Sequence, residues 1–306
     1  MQSRIKIASI AIIFAGVIIT SSVYVRPILI RSTNNLFSDA GFADSQLART
    51  RRTKIIQSPI TSTPVSTLYA DSFGSTSTTE EAGNMSGSGS ILWWISSGAY
   101  FYNANGVGAT ISGSLSATNP WRVAYYLSNP TDTDNGYHPQ NIFRLVTRST
   151  WQNYTQEVYT KTTALNLSAS AERDAWSGIF FFNRYQDQNN LYYTGIRDDG
   201  HVVIKAKKNG TYTTLAEKAY WPGTYNRSTN PSLLPQNTWV GIKSEVTTLP
   251  DNTVSIKFYV DEGRTGVWTL ALSAIDTKSP ILNTGYGGIR GDFRDIQFDD
   301  YKIMGI

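Results

Sequence analysis

The strongest constraint on this chain is a period-two alternation of side chains that recurs after Leu68. Val254, Ile256, Phe258 and Val260 alternate with Ser255, Lys257, Tyr259 and Asp261, which places the apolar set on one face of an extended strand. Val240, Ile242, Ser244 and Val246 alternate likewise with Trp239, Gly241, Lys243 and Glu245, and Pro250-Asp251-Asn252 supplies a turn between the two runs. The pair therefore reads as a hairpin. Upstream, Ser177 to Arg184 contains Ile179 to Phe182, apolar on both faces as in a strand covered from both sides. Leu191 to Arg197 follows the polar turn Gln186 to Asn190. Asp198-Asp199-Gly200 then leads into His201 to Lys207, and Lys208-Asn209-Gly210 into Thr211 to Ala216. These four runs predict an antiparallel meander. Gly287 to Arg290 and Asp295 to Ile303 add two further strands.

Strand formers dominate beyond Leu68, charged residues are sparse, and no segment there reads as a helix. So many strands must close into a barrel or pack as two sheets, and a sandwich is the expected form. The chain has no cysteine, which excludes a disulfide framework, a thiolate metal site and a cysteine nucleophile. About 235 residues remain for the fold, enough to bury a core without such staples.

The first 31 residues read as a signal peptide or membrane anchor. Ile7 to Val25 is a run of 19 residues without a charge, preceded by Arg4 and Lys6. Residues 32–67 read as a flexible linker or stalk with a Ser/Thr/Pro stretch from Ser58 to Thr67. Residues up to Lys54 carry eight basic side chains against Asp39 and Asp44, more than the whole chain's net charge of +4. The remainder is close to neutral, which argues against nucleic acid as a partner and for a membrane border at the N-terminus. Localisation is accordingly expected to be extracytoplasmic, with the protein secreted or anchored through that segment.

The order and wording of the segments resemble the jelly-roll domains of the concanavalin A-like lectin and glucanase group, including the laminin-G-like type. The resemblance runs from Tyr69-Ala70-Asp71-Ser72-Phe73 through the run from Trp176 to Phe182, Asn183 to Tyr193, Trp239 to Val246 and Val254 to Asp261 to Phe298-Asp299-Asp300-Tyr301-Lys302-Ile303. It implies an all-β, two-sheet antiparallel jelly-roll sandwich over residues 68–306, and the apolar run and polar stretch read above place an N-terminal hydrophobic helix and a flexible linker before it. It further implies that the first and last strands lie side by side, where Asp71 and Asp299 could hold a structural calcium ion.

Chemistry is harder to find. The glucanases of that group carry alternating catalytic carboxylates on one strand, whereas here Glu80 and Glu81 are adjacent and Glu157, Glu172 and Glu245 stand alone. The lyase branch implies a Gln-x-His element that is missing. Spacing offers His138 and His201 no convergent partners for a serine triad or a metal site, so both read as partly exposed loop histidines. One lyase arrangement stays open, with Tyr193 as proton donor and Arg197, Lys205 or Lys243 neutralising an acidic sugar.

Binding of a polysaccharide or other glycan is the expected function. The 18 Tyr and 8 Trp outnumber the 12 Phe, a bias toward rings that stack on sugars while staying wet at one end. Two clusters combine rings with amides and cations, Asn183 to Tyr193 and Tyr220 to Arg227; the candidate ligand-binding residues are Arg184, Asn189, Tyr192 and Tyr193 in the first, Tyr220, Trp221 and Tyr225 in the second, and Arg197 and Lys205 beyond the first. A polysaccharide lyase or glycoside hydrolase of the same fold, and a protein-binding adhesion module, are the alternatives.

Overall fold

A computed structural model describes residues 66–306. The leader and nearly all of the stalk lie outside the described residues, and Thr67, assigned above to the stalk, already begins the first strand. In chain order the strands are β1 (Thr67–Asp71), β2 (Ser77–Glu80), β3 (Trp93–Ser97), β4 (Tyr100–Ala104), β5 (Val107–Thr110), β6 (Ile142–Trp151), β7 (Tyr154–Leu165) and β8 (Gly178–Asp187). They continue as β9 (Asn190–Arg197), β10 (His201–Lys208), β11 (Thr211–Ala219), β12 (Val240–Thr248), β13 (Val254–Glu262), β14 (Thr269–Asp276), β15 (Gly285–Asp292) and β16 (Arg294–Gly305). The strands form two antiparallel sheets, confirming the all-β sandwich. One has nine strands in the order β14-β13-β12-β7-β16-β5-β4-β2, with β1 also paired to β16. The other has seven, in the order β11-β10-β9-β8-β15-β6-β3.

The predicted meander is present as β8 to β11, and the predicted hairpin as β12 and β13, with Gly241 opposite Asp261 and Val246 opposite Ile256. Inward-facing Ile242, Ile256 and Phe258 from the nine-stranded sheet meet Phe181, Tyr192 and Ile204 from the seven-stranded sheet in one core. That core also holds a polar bridge. Fully buried Gln156 on β7 donates from Nε2 to Asn183 Oδ1 on β8 at 2.7 Å and to Phe182 O at 2.7 Å. Its Oε1 accepts from the Tyr301 hydroxyl at 2.8 Å, and Asn183 Oδ1 also accepts from Ser244. Every member is satisfied, so the bridge ties the sheets together without leaving a bare polar atom on Gln156 Nε2 or Asn183 Oδ1.

One helix departs from the sequence expectation. α1 (Pro120–Ser128) opens with Asn119, whose side chain accepts from Trp121 N at 2.9 Å, and with Pro120 in the first turn. Proline is tolerated there because the first amides have no intrahelical acceptor. The helix is pinned through buried Tyr125, whose hydroxyl accepts from Gly98 N at 2.8 Å and donates to Glu81. Among the described residues no helix is long and apolar enough to cross a membrane.

Candidate functional site

The outer face of the seven-stranded sheet carries a second apolar cluster, with Phe180 and Phe182 on β8, Leu191 and Tyr193 on β9 and Val203 on β10. Register sets it: Lys205 lies opposite Tyr193, Tyr193 opposite Phe182, and Phe180 opposite Arg290. Gly195 opposes Phe180, and a Cβ there would come within 2.3 Å of Ile179 O and 2.6 Å of the Phe180 ring, so only glycine leaves room for β8 at this point.

Beside this cluster lies a cavity of about 240 Å³. Phe180 and Tyr193 line it from the sheet, with Lys205 from β10, Tyr212 from β11, and Arg290 and Asp292 from β15. The segment before β8 contributes Glu172, Asp174 and Trp176. Trp176, read above as part of a strand, precedes β8 instead; its amide donates to Asp174 Oδ1 at 2.7 Å, and Asp198 N closes the segment onto Ser177 O at 2.8 Å. The Trp176 side is 43% exposed, yet Arg197 Cζ stands 3.4 Å and Lys205 Nζ 3.6 Å from its ring centre. Such cation–π contacts hold an aromatic platform in place while leaving it in contact with solvent.

Charge in the cavity is uneven. Arg197 pairs with Asp199 and with Glu217, the latter at 2.8 Å. Arg290 donates from Nε to Asp292 Oδ1 at 2.7 Å, which leaves Asp292 Oδ2 buried without a partner. Burial lowers the Arg290 guanidinium, but Asp292 and the Tyr193 and Tyr212 rings outweigh it and hold it above its usual range. Lys205 has no ion pair among the described residues; burial and then the Arg197 charge push it down to about 8. Burial raises the Tyr193 phenol. Tyr212 is also raised by burial, but Arg290 and a hydrogen bond from Tyr193 more than offset this, and its net shift is downward. The cavity thus combines aromatic surface from Trp176 and Tyr212, the Lys205 ammonium and the Glu172 and Asp174 carboxylates, residue types that sugar rings and their hydroxyls pair with.

Of the residues expected to bind ligand, the structure brings together Tyr193 and Lys205, with Arg197 at the rim. The others lie elsewhere. Arg184 is fully buried, clamping Gln152 O at 2.9 Å, Ile281 O at 2.7 Å and Thr248 Oγ1 at 2.8 Å. Tyr192 faces the core, its hydroxyl on Asp276 Oδ2 at 2.7 Å. Asn189 shapes the β8–β9 turn through Asp187. Trp221 packs in the core against Tyr220, ring centres 4.7 Å apart. Tyr225 is half-buried, with its hydroxyl unpartnered. Sequence reading passed over Trp176, Tyr212, Arg290 and Asp292; an aromatic just before a strand whose neighbours carry Arg and Lys was the available signal. Lys243, the other cation of the lyase arrangement, sits on the nine-stranded sheet over Trp268 and Glu157, away from Tyr193.

The calcium expectation meets a mixed outcome. β1 does pair with β16, Asp71 opposite Tyr301. Asp71, however, spends Oδ1 on Phe73 N at 2.7 Å and Oδ2 on Trp93 Nε1 at 2.7 Å. Asp299 meets Arg264 at 2.6 Å and Asp300 N at 2.8 Å. Protein donors thus take the oxygens that a metal needs, and among the described residues no group of three or more His, Asp or Glu side chains could hold one. The residues do not fit a calcium ion.

The histidines divide. His201 meets only its neighbour Asp199, at 3.2 Å. His138, contrary to the sequence expectation, lies between Ser114 and Asp134. A second hollow, about 610 Å³, lies where α1 meets β2 and β4, lined by Trp121, Tyr100 and Glu80 with no basic side chain.

No family model and no curated protein matches this chain. Among solved structures, similarity extends to the carbohydrate-binding module CBM66 from Bacillus subtilis, with a TM-score of 0.45 and 13% identity over 70% of this chain and 95% of that one. The exoplasmic/lumenal domain of VIP36, in a form bound to Ca2+ and Man3GlcNAc, gives a TM-score of 0.41 and 9% identity over 71% and 87%. A mutant of the GH43 protein BlXynB from Bacillus licheniformis gives 0.43 and 12% over 78% of this chain and 39% of that one.

Proposed function

We propose that this protein binds a polysaccharide or other glycan in the cavity on the outer face of the seven-stranded sheet, as a lectin-like module that leaves glycosidic bonds intact. One observation carries the reading: a half-exposed Trp176 ring, fixed by Arg197 and Lys205, stands beside a cavity that is also lined by Tyr212 and by the Glu172 and Asp174 carboxylates. The apolar face of a sugar ring stacks on the indole while its hydroxyls pair with the charged rim. A glycan array probed with the chain and with its Trp176→Ala variant tests this. Retained binding by a set of related glycans, lost in the variant, supports it; no glycan bound, or binding indifferent to Trp176, refutes it.

A second reading, a polysaccharide lyase acting on acidic sugars, is favoured by one contact: Tyr193 and Tyr212, rings 5.7 Å apart, sit beside Arg290. It requires new unsaturated chain ends when acidic polysaccharides are incubated with the protein. Extracytoplasmic localisation, by secretion or by anchoring through residues 1–31, belongs to the same proposal and is tested by cell fractionation with N-terminal sequencing of the mature chain.

A further inference from the structure

Ser114 Oγ lies 2.7 Å from His138 Nε2, and His138 Nδ1 lies 2.8 Å from Asp134 Oδ2. With Nδ1–H donated to Asp134, the Nε2 lone pair is free to accept the Ser114 hydroxyl hydrogen. Asp134 is held from two further sides, by Ser168 Oγ at 2.5 Å and Asn141 Nδ2 at 3.1 Å. It adopts a left-handed backbone, φ 50°, unusual for a residue other than glycine and a common sign of a conformation imposed by its surroundings. The segments are locked to one another: Leu115 N donates to Tyr137 O at 2.8 Å, His138 N to Thr133 O at 2.9 Å and Gly113 N to Asp295 Oδ2 at 2.6 Å. Ser114 therefore stands between two anchored neighbours, yet is itself exposed, with His138 and Asp134 partly covered.

We propose that Ser114, His138 and Asp134 form a nucleophile, general base and orienting carboxylate that hydrolyse O-acyl esters of small acids. In the first half, Ser114 Oγ bonds to the ester carbonyl carbon while its proton passes to His138 Nε2; the bond to the leaving alcohol breaks, and the alcohol takes that proton. In the second half, water adds to the acyl group, its proton goes to His138, the acyl–Oγ bond breaks and the proton returns to Ser114. The net change is ester plus water to acid plus alcohol. Asp134 fixes the imidazole tautomer and balances its transient charge. Exposure of Ser114 suits an acyl group displayed on a larger molecule. The chemistry is independent of whether the cavity takes a glycan.

The test uses the full chain with a fluorophosphonate probe and with p-nitrophenyl acetate. The probe is expected on the peptide containing Ser114, and p-nitrophenol release should fall at least about 100-fold in Ser114→Ala and in His138→Gln, the scale of a lost nucleophile or general base. Asp134→Asn disturbs the Ser168 and Asn141 contacts as well, so Ser114→Ala, which removes one exposed hydroxyl, is the decisive variant, with unchanged thermal unfolding as its control. Absence of label on Ser114, or hydrolysis unaltered in Ser114→Ala, overturns the proposal.

Discussion

The Arg197 guanidinium carbon stands 3.4 Å from the centre of the Trp176 ring, and this contact joins the segment before β8 to the end of β9. Its consequence is a platform that does not need to be ordered when a ligand arrives, which saves the entropy of immobilising a free indole. Trp176→Ala should therefore weaken glycan affinity by about tenfold or more, with Trp176→Phe in between, because stacking of this kind contributes about 0.5–1.5 kcal/mol beyond buried area. Titration calorimetry with the best ligand from the array reads the difference, and equal affinities in all three proteins would remove Trp176 from the site.

Lys205 should leave a signature in the pH dependence of stability. Its folded value of about 8 lies below the ordinary 10.5, with burial the main cause and Arg197 next. Between those two values the unfolded chain holds a proton that the folded chain has released, so this residue makes stability rise with pH across that window. Below about 8 the charged lysine imposes its full cost. Lys205→Met abolishes the titration, so the variant's stability relative to the native protein should be highest near neutral pH and fall as pH climbs toward about 10.5. Urea midpoints at about pH 7 and about pH 10 measure it; an unchanging difference would mean that Lys205 is not depressed.

Gln156 joins the two sheets through Asn183 Oδ1 and Phe182 O on β8, while its Oε1 accepts from Tyr301 of its own sheet. Gln156→Leu keeps the volume but orphans those partners in a dry core, at a cost of roughly 2–4 kcal/mol. Urea unfolding followed by tryptophan fluorescence should show the loss in midpoint with little change in slope. A variant as stable as the native chain would show that the bridge contributes nothing to stability.

Metal dependence is expected to be nil for the described domain. Asp71 is saturated by Phe73 N and Trp93 Nε1, so calcium and chelator should give the same melting temperature, whereas Asp71→Ala should lower stability by about 1–3 kcal/mol through the unpaired indole N–H. A rise of several degrees on adding calcium would restore the ion between the terminal strands.

Much of the strand plan was legible because hydrophobic alternation and turn residues are local properties. β8 to β13 and β16 fall within a few residues of the predicted runs. α1 escaped notice because Pro120 looks like a breaker unless its position in a first turn is known, and because only Tyr125 on its nine residues is buried. The ligand residues were only half legible. Tyr192 and Tyr193 are adjacent and chemically alike, yet one bonds Asp276 inside the core and the other lines the cavity.

The sequence by itself determined that the part beyond Leu68 is a β-strand domain, where most of its strands begin and turn, and that it manages without cysteine. Only the tertiary structure decided which side of β9 faces the other sheet, that Trp176 lies against Arg197 and Lys205, and that Ser114, His138 and Asp134 meet. The physical reason is range. Side-chain parity along a strand follows from backbone geometry over a few residues. Which face is covered, and which loops touch, depends on pairings such as β8 with β15 and β15 with β6, between residues more than a hundred positions apart.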